Sequence, residues 1–177
     1  MKTIQFRTSG QITSNPRTGL GLFLSIRRIL SIAAVCAFVI AACSRAPQAP
    51  SKEVKITGTD AMKFDVTAFE VKPGQAVSVT LTNIGKLPKD AMGHDFMLLD
   101  KNTDVAKFTE TGAAHKETNY VPPDQAFRVL IRTKILGPGE TDTVTFTAPQ
   151  VPGPYVYICS FPGHYVSGMK GIMTVAP

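Results

Sequence analysis

Residues 155–175, near the end of the chain, read YVYICSFPGHYVSGMKGIMTV. Both ends of this segment are rich in β-branched and aromatic side chains, which is typical of β-strands. The residues between them include Pro162 and Gly163, which favour a loop. The segment therefore predicts two strands joined by a loop, with Cys159 at the entrance to the loop and Met169 at its exit.

Alternation of apolar and polar residues, the pattern of a half-buried strand, recurs upstream. It is clear in Val77–Thr82 and Thr143–Thr147, and Phe127–Ile135 is another β-rich run. Turns containing Gly and Pro separate these runs, so we predict an all-β, Greek-key sandwich or barrel of seven to eight strands. The long polar segment Lys101–Asp124 predicts a surface flap with some helix of its own.

The charge of the chain is unevenly distributed. Residues 1–42 contain five basic side chains and no acidic one, whereas residues 43–177 contain 14 basic and 13 acidic side chains. The basic character therefore belongs to the leader. A nucleic-acid-binding domain needs a clustered basic face, so we do not expect nucleic acid as a partner.

The leader has the features of an export signal. Arg27 and Arg28 precede the apolar run Ile29–Ala42, which is too short to span a bilayer as a stable helix. The run ends in Ile40-Ala41-Ala42-Cys43, which resembles a bacterial lipobox. We predict a lipoprotein signal peptide over residues 1–42, with Cys43 as the lipid attachment site. The alternative is an ordinary secretory signal followed by a chance cysteine.

The proline-bearing polar stretch after Cys43 predicts a flexible linker over residues 43–53, followed by a folded domain over residues 54–177. Within that domain Cys159 is the only cysteine, so it has no partner for an intrachain disulfide. The thiol is then either an inert buried residue or a functional one.

A functional interpretation is available because Cys159 has suitable neighbours. His164 and Met169 follow in the predicted loop, and His94 lies upstream at a predicted strand start. Two imidazoles, one thiolate and a weak thioether form the ligand set of a mononuclear blue-copper site. Thiolate and thioether stabilise Cu(I), whereas imidazole suits both oxidation states.

Other interpretations of these residues are weaker. Taken singly, each is an ordinary buried or surface residue. A zinc site would need a thioether as its fourth ligand, which is a poor match. A hydrolase built on Cys159 and His164 would lack an orienting third residue and would leave Met169 without a role. We therefore do not expect an enzyme.

Residues 54–175 resemble the azurin family of bacterial blue-copper electron carriers. The matching stretches are Leu87–His94, Thr133–Glu140, Cys159–His164 and Met169–Gly171. The resemblance implies a cupredoxin fold with a helical flap. It also implies one copper ion per chain, cycling between Cu(I) and Cu(II), with these ligands: His94, Cys159, His164, Met169 and, as a distant fifth donor, the Gly93 carbonyl. With the lipobox, the chain is similar to lipid-modified azurins.

The resemblance assigns roles around these ligands. It implies that Asp95 ties the His94 segment to the Cys159 loop near Ser160, with Phe161 beside them. It further implies that the edge of His164 reaches the surface in an apolar docking patch. The candidate residues of that patch are Met62, Leu87, Met92, Phe161 and Pro162.

The chain departs from azurin at several positions. Four residues separate His164 from Met169, one more than in azurin and closer to plastocyanin. The cysteines of the azurin disulfide are missing. Phe96 stands where azurin commonly has Trp, and Asp95 stands where it usually has Asn.

We expect a monomeric electron-transfer protein of the bacterial cell envelope, anchored by lipid alone. In a Gram-negative cell it would face the periplasm from the outer membrane. Its expected partners are redox proteins such as cytochromes or copper enzymes. The alternative function is a periplasmic copper carrier or buffer that uses the same ligands.

Overall fold

A computed structural model describes residues 51–177. The predicted signal peptide, Cys43 and most of the predicted linker lie outside the described residues. Within them, nine strands form two sheets. This arrangement confirms the all-β sandwich with a helical flap. Strand β1 already begins at Lys52, two residues before the expected start of the domain.

The first sheet has four strands. In sheet order they are β2 (Lys63–Phe64), β1 (Lys52–Thr59), β4 (Ala76–Asn83) and β7 (Thr141–Thr147). Strands β1 and β4 run parallel, whereas β4 and β7 are antiparallel. The predicted inward residues of β4, Val77, Val79 and Leu81, are all buried. Strand β2 pairs with the end of β1 through Gly58↔Phe64 and Thr59↔Lys63.

The second sheet has five strands. In sheet order they are β3 (Ala68–Val71), β9 (Lys170–Val175), β8 (Gly153–Ile158), β5 (Met97–Leu99) and β6 (Val129–Arg132). Strands β8 and β9 are the two that the C-terminal segment predicted. Strand β6 is shorter than the predicted run Phe127–Ile135, because a 3₁₀ helix occupies Pro123–Arg128.

Helical structure is confined to connections. Helix α1 spans Lys89–Met92, and helix α2 spans Val105–Gly112 within the predicted flap. Asp104 caps α2, because its side chain accepts a hydrogen bond from the Lys107 amide. A short 3₁₀ helix, Lys116–Thr118, follows. In the described part of the chain, no helix has the length and apolar character needed to cross a membrane.

Two groups of buried side chains stabilise the fold. The larger group lies between the sheets and includes Ile56, Leu81, Tyr157 and Met173. The smaller group lies beneath the flap, where Phe108 packs with the following residues: Met97, Leu99, Val121 and Ile158. Full burial of an aromatic ring such as that of Phe108 contributes about 1.5–3 kcal/mol. The flap is therefore a packed part of the domain.

Candidate metal centre

Cys159 is delivered by the second sheet. It follows Ile158, the last residue of β8, and its side chain is fully buried. The Cys159 amide donates to the Met169 carbonyl at 3.1 Å, which closes the base of the loop between β8 and β9. The thiol sulfur lies 3.3 Å from His164 Nδ1 and 3.8 Å from the Gly93 carbonyl oxygen.

The segment Cys159–Met169, here called the ligand loop, ends in a Schellman motif. The Met169 amide donates to the His164 carbonyl, and the Gly168 amide donates to the Tyr165 carbonyl. Gly168 has a φ of +96°, which is the left-handed conformation that this motif requires. Backbone hydrogen bonds thus connect Met169 to both Cys159 and His164. The four residues between His164 and Met169 are the number that the motif uses.

His94 comes from a different part of the chain. Its amide and carbonyl exchange hydrogen bonds with Leu136 at 3.0 and 2.7 Å, which fixes this segment just before β5. Its Nδ1 atom lies 3.3 Å from Nδ1 of His164. Asn83 supports the backbone pairing of His94 with Leu136, because its side-chain amide donates to the Leu136 carbonyl.

The three side chains converge. One ligand atom from each of His94, Cys159 and His164 lies within 4.8 Å of the others, and all three residues are buried. Two imidazole nitrogens and one sulfur at such distances form a donor set that suits a transition metal. The Nε2 atom of His94, on the other side of the ring, is buried and has no hydrogen-bond partner in the described part of the chain.

Met169 is fully buried at the same place. A Cβ atom added to Gly58 would lie 3.0 Å from Met169 Cε and 3.1 Å from His94 Cδ2. The methionine side chain and the His94 ring therefore meet over Gly58, on strand β1. Gly58 was not predicted as a site residue from the sequence, although a glycine inside a strand is a signal of close approach.

Gly93 also has no room for a side chain. A Cβ atom there would lie 2.5 Å from Ile135 Cγ2 and 2.7 Å from the Lys89 carbonyl oxygen. Only glycine allows this backbone to pass so close to its neighbours, and its carbonyl oxygen faces the Cys159 sulfur.

Burial controls the protonation of the donors in the copper-free protein. It lowers the pKa of His164 to about 4, with a further contribution from the charge of His94, and it lowers the pKa of His94 itself. Burial, and then the charge of Asp95, raises the pKa of the Cys159 thiol well above its usual value. The imidazoles are thus neutral and ready to bind metal at pH 7, whereas the thiol must release a proton.

Asp95 joins the two ligand-bearing segments. Its carboxylate accepts hydrogen bonds from the Ser160 amide at 2.6 Å and the Ser160 hydroxyl at 2.8 Å. It is completely buried, which raises its pKa to about 6 even though the hydrogen bonds from Ser160 favour the ionised form. The side chain therefore links the His94 segment to the ligand loop.

The proposed docking residues lie around the ligand loop, with different exposure. Leu87 is 45% exposed, whereas Met62, Met92, Phe161 and Pro162 are half-buried. Asp60 and Met62 lie in the turn between β1 and β2. This turn is held next to Leu87, because the Asp60 carboxylate accepts hydrogen bonds from the amides of Lys86 and Leu87. The Phe161 ring lies 4.9 Å from the His164 ring, which is 2% exposed.

A sequence model for copper binding proteins of the plastocyanin/azurin family matches residues 51–176. The match covers nearly all of the described residues and includes every candidate ligand.

The chain belongs to this family.

Similar proteins support the assignment. The chain is 38% identical over 126 residues to azurin of Pseudomonas fluorescens biotype C, covering 70% of this chain and 97% of that protein. It is 42% identical over 124 residues to azurin-1 of Alcaligenes xylosoxydans xylosoxydans, covering 68% and 94% respectively. The solved structure of auracyanin from Roseiflexus castenholzii superposes with a TM-score of 0.60 and 34% identity, covering 71% of this chain and 98% of that one.

The expected azurin-like cupredoxin fold and the copper cofactor are therefore confirmed. His94, Cys159 and His164 form a site in this copper-binding family that can hold one copper ion. Phe96 is fully buried, and its ring centroid lies 5.1 Å from that of Tyr157.

Proposed function

We propose that the protein is a type 1, or blue, copper electron carrier with His94, Cys159, His164 and Met169 as the ligands and the Gly93 carbonyl beside them. The observation that carries the proposal is the convergence of two Nδ1 atoms and one thiol sulfur within 4.8 Å in a buried cluster. Copper held by such a set alternates between Cu(I) and Cu(II) as one electron enters or leaves.

The chain supports this role by holding the donors still. The Cys159 amide is bonded to the Met169 carbonyl, the Met169 amide to the His164 carbonyl, and the His94 backbone to Leu136. Burial of all four side chains excludes water from the site. A site that is fixed in this way changes little when an electron arrives, and the burial of its four side chains leaves little access for a substrate. We therefore propose that the protein is not an enzyme.

Electrons are proposed to pass through His164, whose ring contacts Phe161. The surrounding residues Met62, Leu87, Met92, Phe161 and Pro162 would form an apolar docking patch for redox proteins. Exposed apolar patches mark interaction sites, and transient redox complexes typically bury less than ~1,200 Å². Lys substitution at Leu87 should slow transfer to partners and leave the spectrum intact.

The decisive experiment is spectroscopic. The copper-loaded protein should be intensely blue when oxidised and colourless when reduced, with the EPR spectrum of a type 1 site. The blue band arises from charge transfer between the thiolate and Cu(II), so Cys159→Ser should abolish it. A blue band that persists in this variant would overturn the assignment.

A copper carrier with the same ligands would behave differently. Ready loss of copper to a chelator or to a copper-free acceptor protein would favour delivery. Retention of copper through a full redox titration would favour electron transfer. The burial of the candidate ligand side chains and the backbone hydrogen bonds within the ligand loop support this outcome.

We further propose that the protein is exported and attached to the cell envelope through a lipid on Cys43, with residues 1–42 removed and with a linker that runs from Cys43 to the start of β1 at Lys52. The support is the lipobox-like Ile40–Cys43 after the basic pair Arg27 and Arg28. Cys43→Ala should release the protein from membranes or block its processing. Recovery of the unaltered protein only in a soluble, unlipidated fraction would contradict an anchor.

A further inference from the structure

An exposed lysine on strand β2 contacts the ligand loop. The Lys63 ammonium donates a hydrogen bond to the Ser167 carbonyl at 2.5 Å. It also lies against Gly168, because a Cβ atom added there would be 2.6 Å from Lys63 Nζ. These contacts connect residues more than 100 positions apart in the sequence.

The Ser167 carbonyl is a specific target. Ser167 is the last residue before left-handed Gly168 in the Schellman motif that ends the ligand loop. The final carbonyls of such a turn have no partner within the turn itself. A lysine at this end supplies a donor.

The position of Lys63 is fixed by strand pairing. Lys63 pairs with Thr59 across the β1–β2 hairpin, next to Gly58. Gly58 is the residue over which Met169 and the His94 ring meet. One short hairpin therefore supports the Met169 side chain from Gly58 and the end of the ligand loop from Lys63.

We propose that Lys63 is a positioning residue. It fixes the Ser167–Gly168 end of the ligand loop and, through it, the Met169 backbone that is bonded to both His164 and Cys159. The consequence for copper rests on the proposed function, because it requires Met169 and His164 to be ligands. The structural effect of Lys63, here called the clamp, is the hydrogen bond that holds the Ser167–Gly168 end of the ligand loop. This effect does not depend on the proposed function.

The clamp is tested first in the copper-free full chain by amide hydrogen exchange. Lys63→Met keeps most of the side-chain volume and removes the donor. Because a hydrogen bond from a charged group contributes about 1 kcal/mol at an exposed site, the Gly168 and Met169 amides should exchange about threefold to tenfold faster. Lys63→Arg should restore slow exchange. Lys55→Met makes the same charge change at an exposed position of β1 and should have no effect on these amides.

The copper-loaded variants then test the positioning role. Lys63→Met should change the copper hyperfine splitting in the EPR spectrum and the reduction potential, and Lys63→Arg should restore both. Unchanged amide exchange in Lys63→Met would overturn the clamp. A shifted potential with unaltered exchange and hyperfine splitting would mean that only the charge of Lys63 matters, which also overturns it. Faster exchange with an unaltered EPR spectrum and potential would overturn the effect on the metal site.

The two proposals fail separately. If the unaltered protein binds copper without a blue colour, the proposed function fails, whereas the exchange result in the copper-free chain still decides whether Lys63 holds the loop.

Discussion

The ligand loop, Cys159–Met169, and the β1–β2 hairpin, Lys52–Phe64, both contact the candidate copper site. The loop carries three of the four candidate ligands within eleven consecutive residues. The hairpin carries none, yet Gly58 meets Met169 and His94, and Lys63 binds the Ser167 carbonyl. The loop supplies the chemistry of the site, and the hairpin supplies part of its fixed shape.

This difference shows why only one of the two regions was recognised in the sequence. The ligand loop is defined by residue types at short spacing. The hairpin affects the site through the absence of a side chain at Gly58 and through Lys63. Neither a single glycine nor a single lysine is a distinctive signal in the sequence. Substitutions in the two regions should therefore have different effects on stability and on the spectrum of the copper-loaded protein.

The largest effect on stability is expected on the loop side, from Met169→Ala. Met169 is fully buried, so its truncation should lower the free energy of unfolding of the copper-free protein by about 2–5 kcal/mol. In the copper-loaded protein the variant should retain copper but change its reduction potential, because an axial ligand tunes the site more than it holds the metal. Denaturant unfolding and voltammetry measure the two effects.

Met173→Ala is the matched control for this variant. Met173 is also fully buried, on β9, and belongs to the same core. It should lose a comparable amount of stability and keep the unaltered spectrum and potential. Equal potentials in the two variants would remove Met169 from the ligand set.

The next effect concerns Asp95, which joins the loop to the His94 segment. Its pKa is about 6 in the folded copper-free protein and about 3.8 in the unfolded chain. The unfolded chain thus releases this proton first, so the free energy of unfolding falls as the pH rises from about 4 to about 6. The total loss should be about 2–3 kcal/mol.

Asp95→Asn should remove this decline. An Asn at position 95 can accept from the Ser160 amide and donate to the Ser160 hydroxyl, so the connection between the two segments is retained. Asp142→Asn, on strand β7, makes the same charge change away from the site and should keep the original pH dependence. Unfolding curves from pH 4 to pH 7 that coincide for Asp95→Asn and the unaltered protein would contradict this account.

On the hairpin side, Gly58→Val should disturb the site although it replaces none of the candidate ligands. A Cβ atom at this position is already 3.0 Å from Met169 Cε and 3.1 Å from His94 Cδ2, and the γ-methyl groups add further overlap. Overpacking of this kind costs about 1–3 kcal/mol. The EPR spectrum of the copper-loaded variant should change as well.

Gly58→Ala should produce a smaller change of the same kind, which gives a graded series. If Gly58→Val leaves both the unfolding free energy and the spectrum unaltered, the hairpin does not shape the site.

The smallest expected effect distinguishes two glycines of the ligand loop. Gly168 and Gly163 both have positive φ, at +96° and +85°. An added Cβ would be 2.6 Å from Lys63 Nζ at Gly168, whereas it has open space at Gly163. Each Gly→Ala change costs about 1–2 kcal/mol for the left-handed backbone.

Gly168→Ala should cost about 1 kcal/mol more than Gly163→Ala, because it also displaces the Lys63 ammonium from Ser167. In a Lys63→Met background the two costs should become equal. A difference that persists there would assign the effect to the backbone of Gly168 rather than to Lys63.

Much of the fold could be predicted from the sequence because strands and turns leave local signals. The alternation in Val77–Thr82 predicted β4, and residues 155–175 predicted β8, the ligand loop and β9. The two-residue strand β2 has no such signal, since it exists only by pairing with β1. The start of the strand within Phe127–Ile135 was predicted too early, because a 3₁₀ helix through Arg128 delays the start of β6.

The sequence by itself determined which residue types are available to copper: one thiol, a histidine five residues later, a methionine five residues after that, and His94 upstream. Short spacing places Cys159, His164 and Met169 close together, because a short loop whose two ends are fixed in adjacent strands has few possible conformations. Only the tertiary structure decided that His94 Nδ1 lies 3.3 Å from His164 Nδ1, that Asp95 bonds to Ser160, and that Gly58 and Lys63 support the Met169 end of the loop. These contacts join segments 65 to more than 100 residues apart, where the packing of the two sheets, and not local propensity, determines which side chains meet.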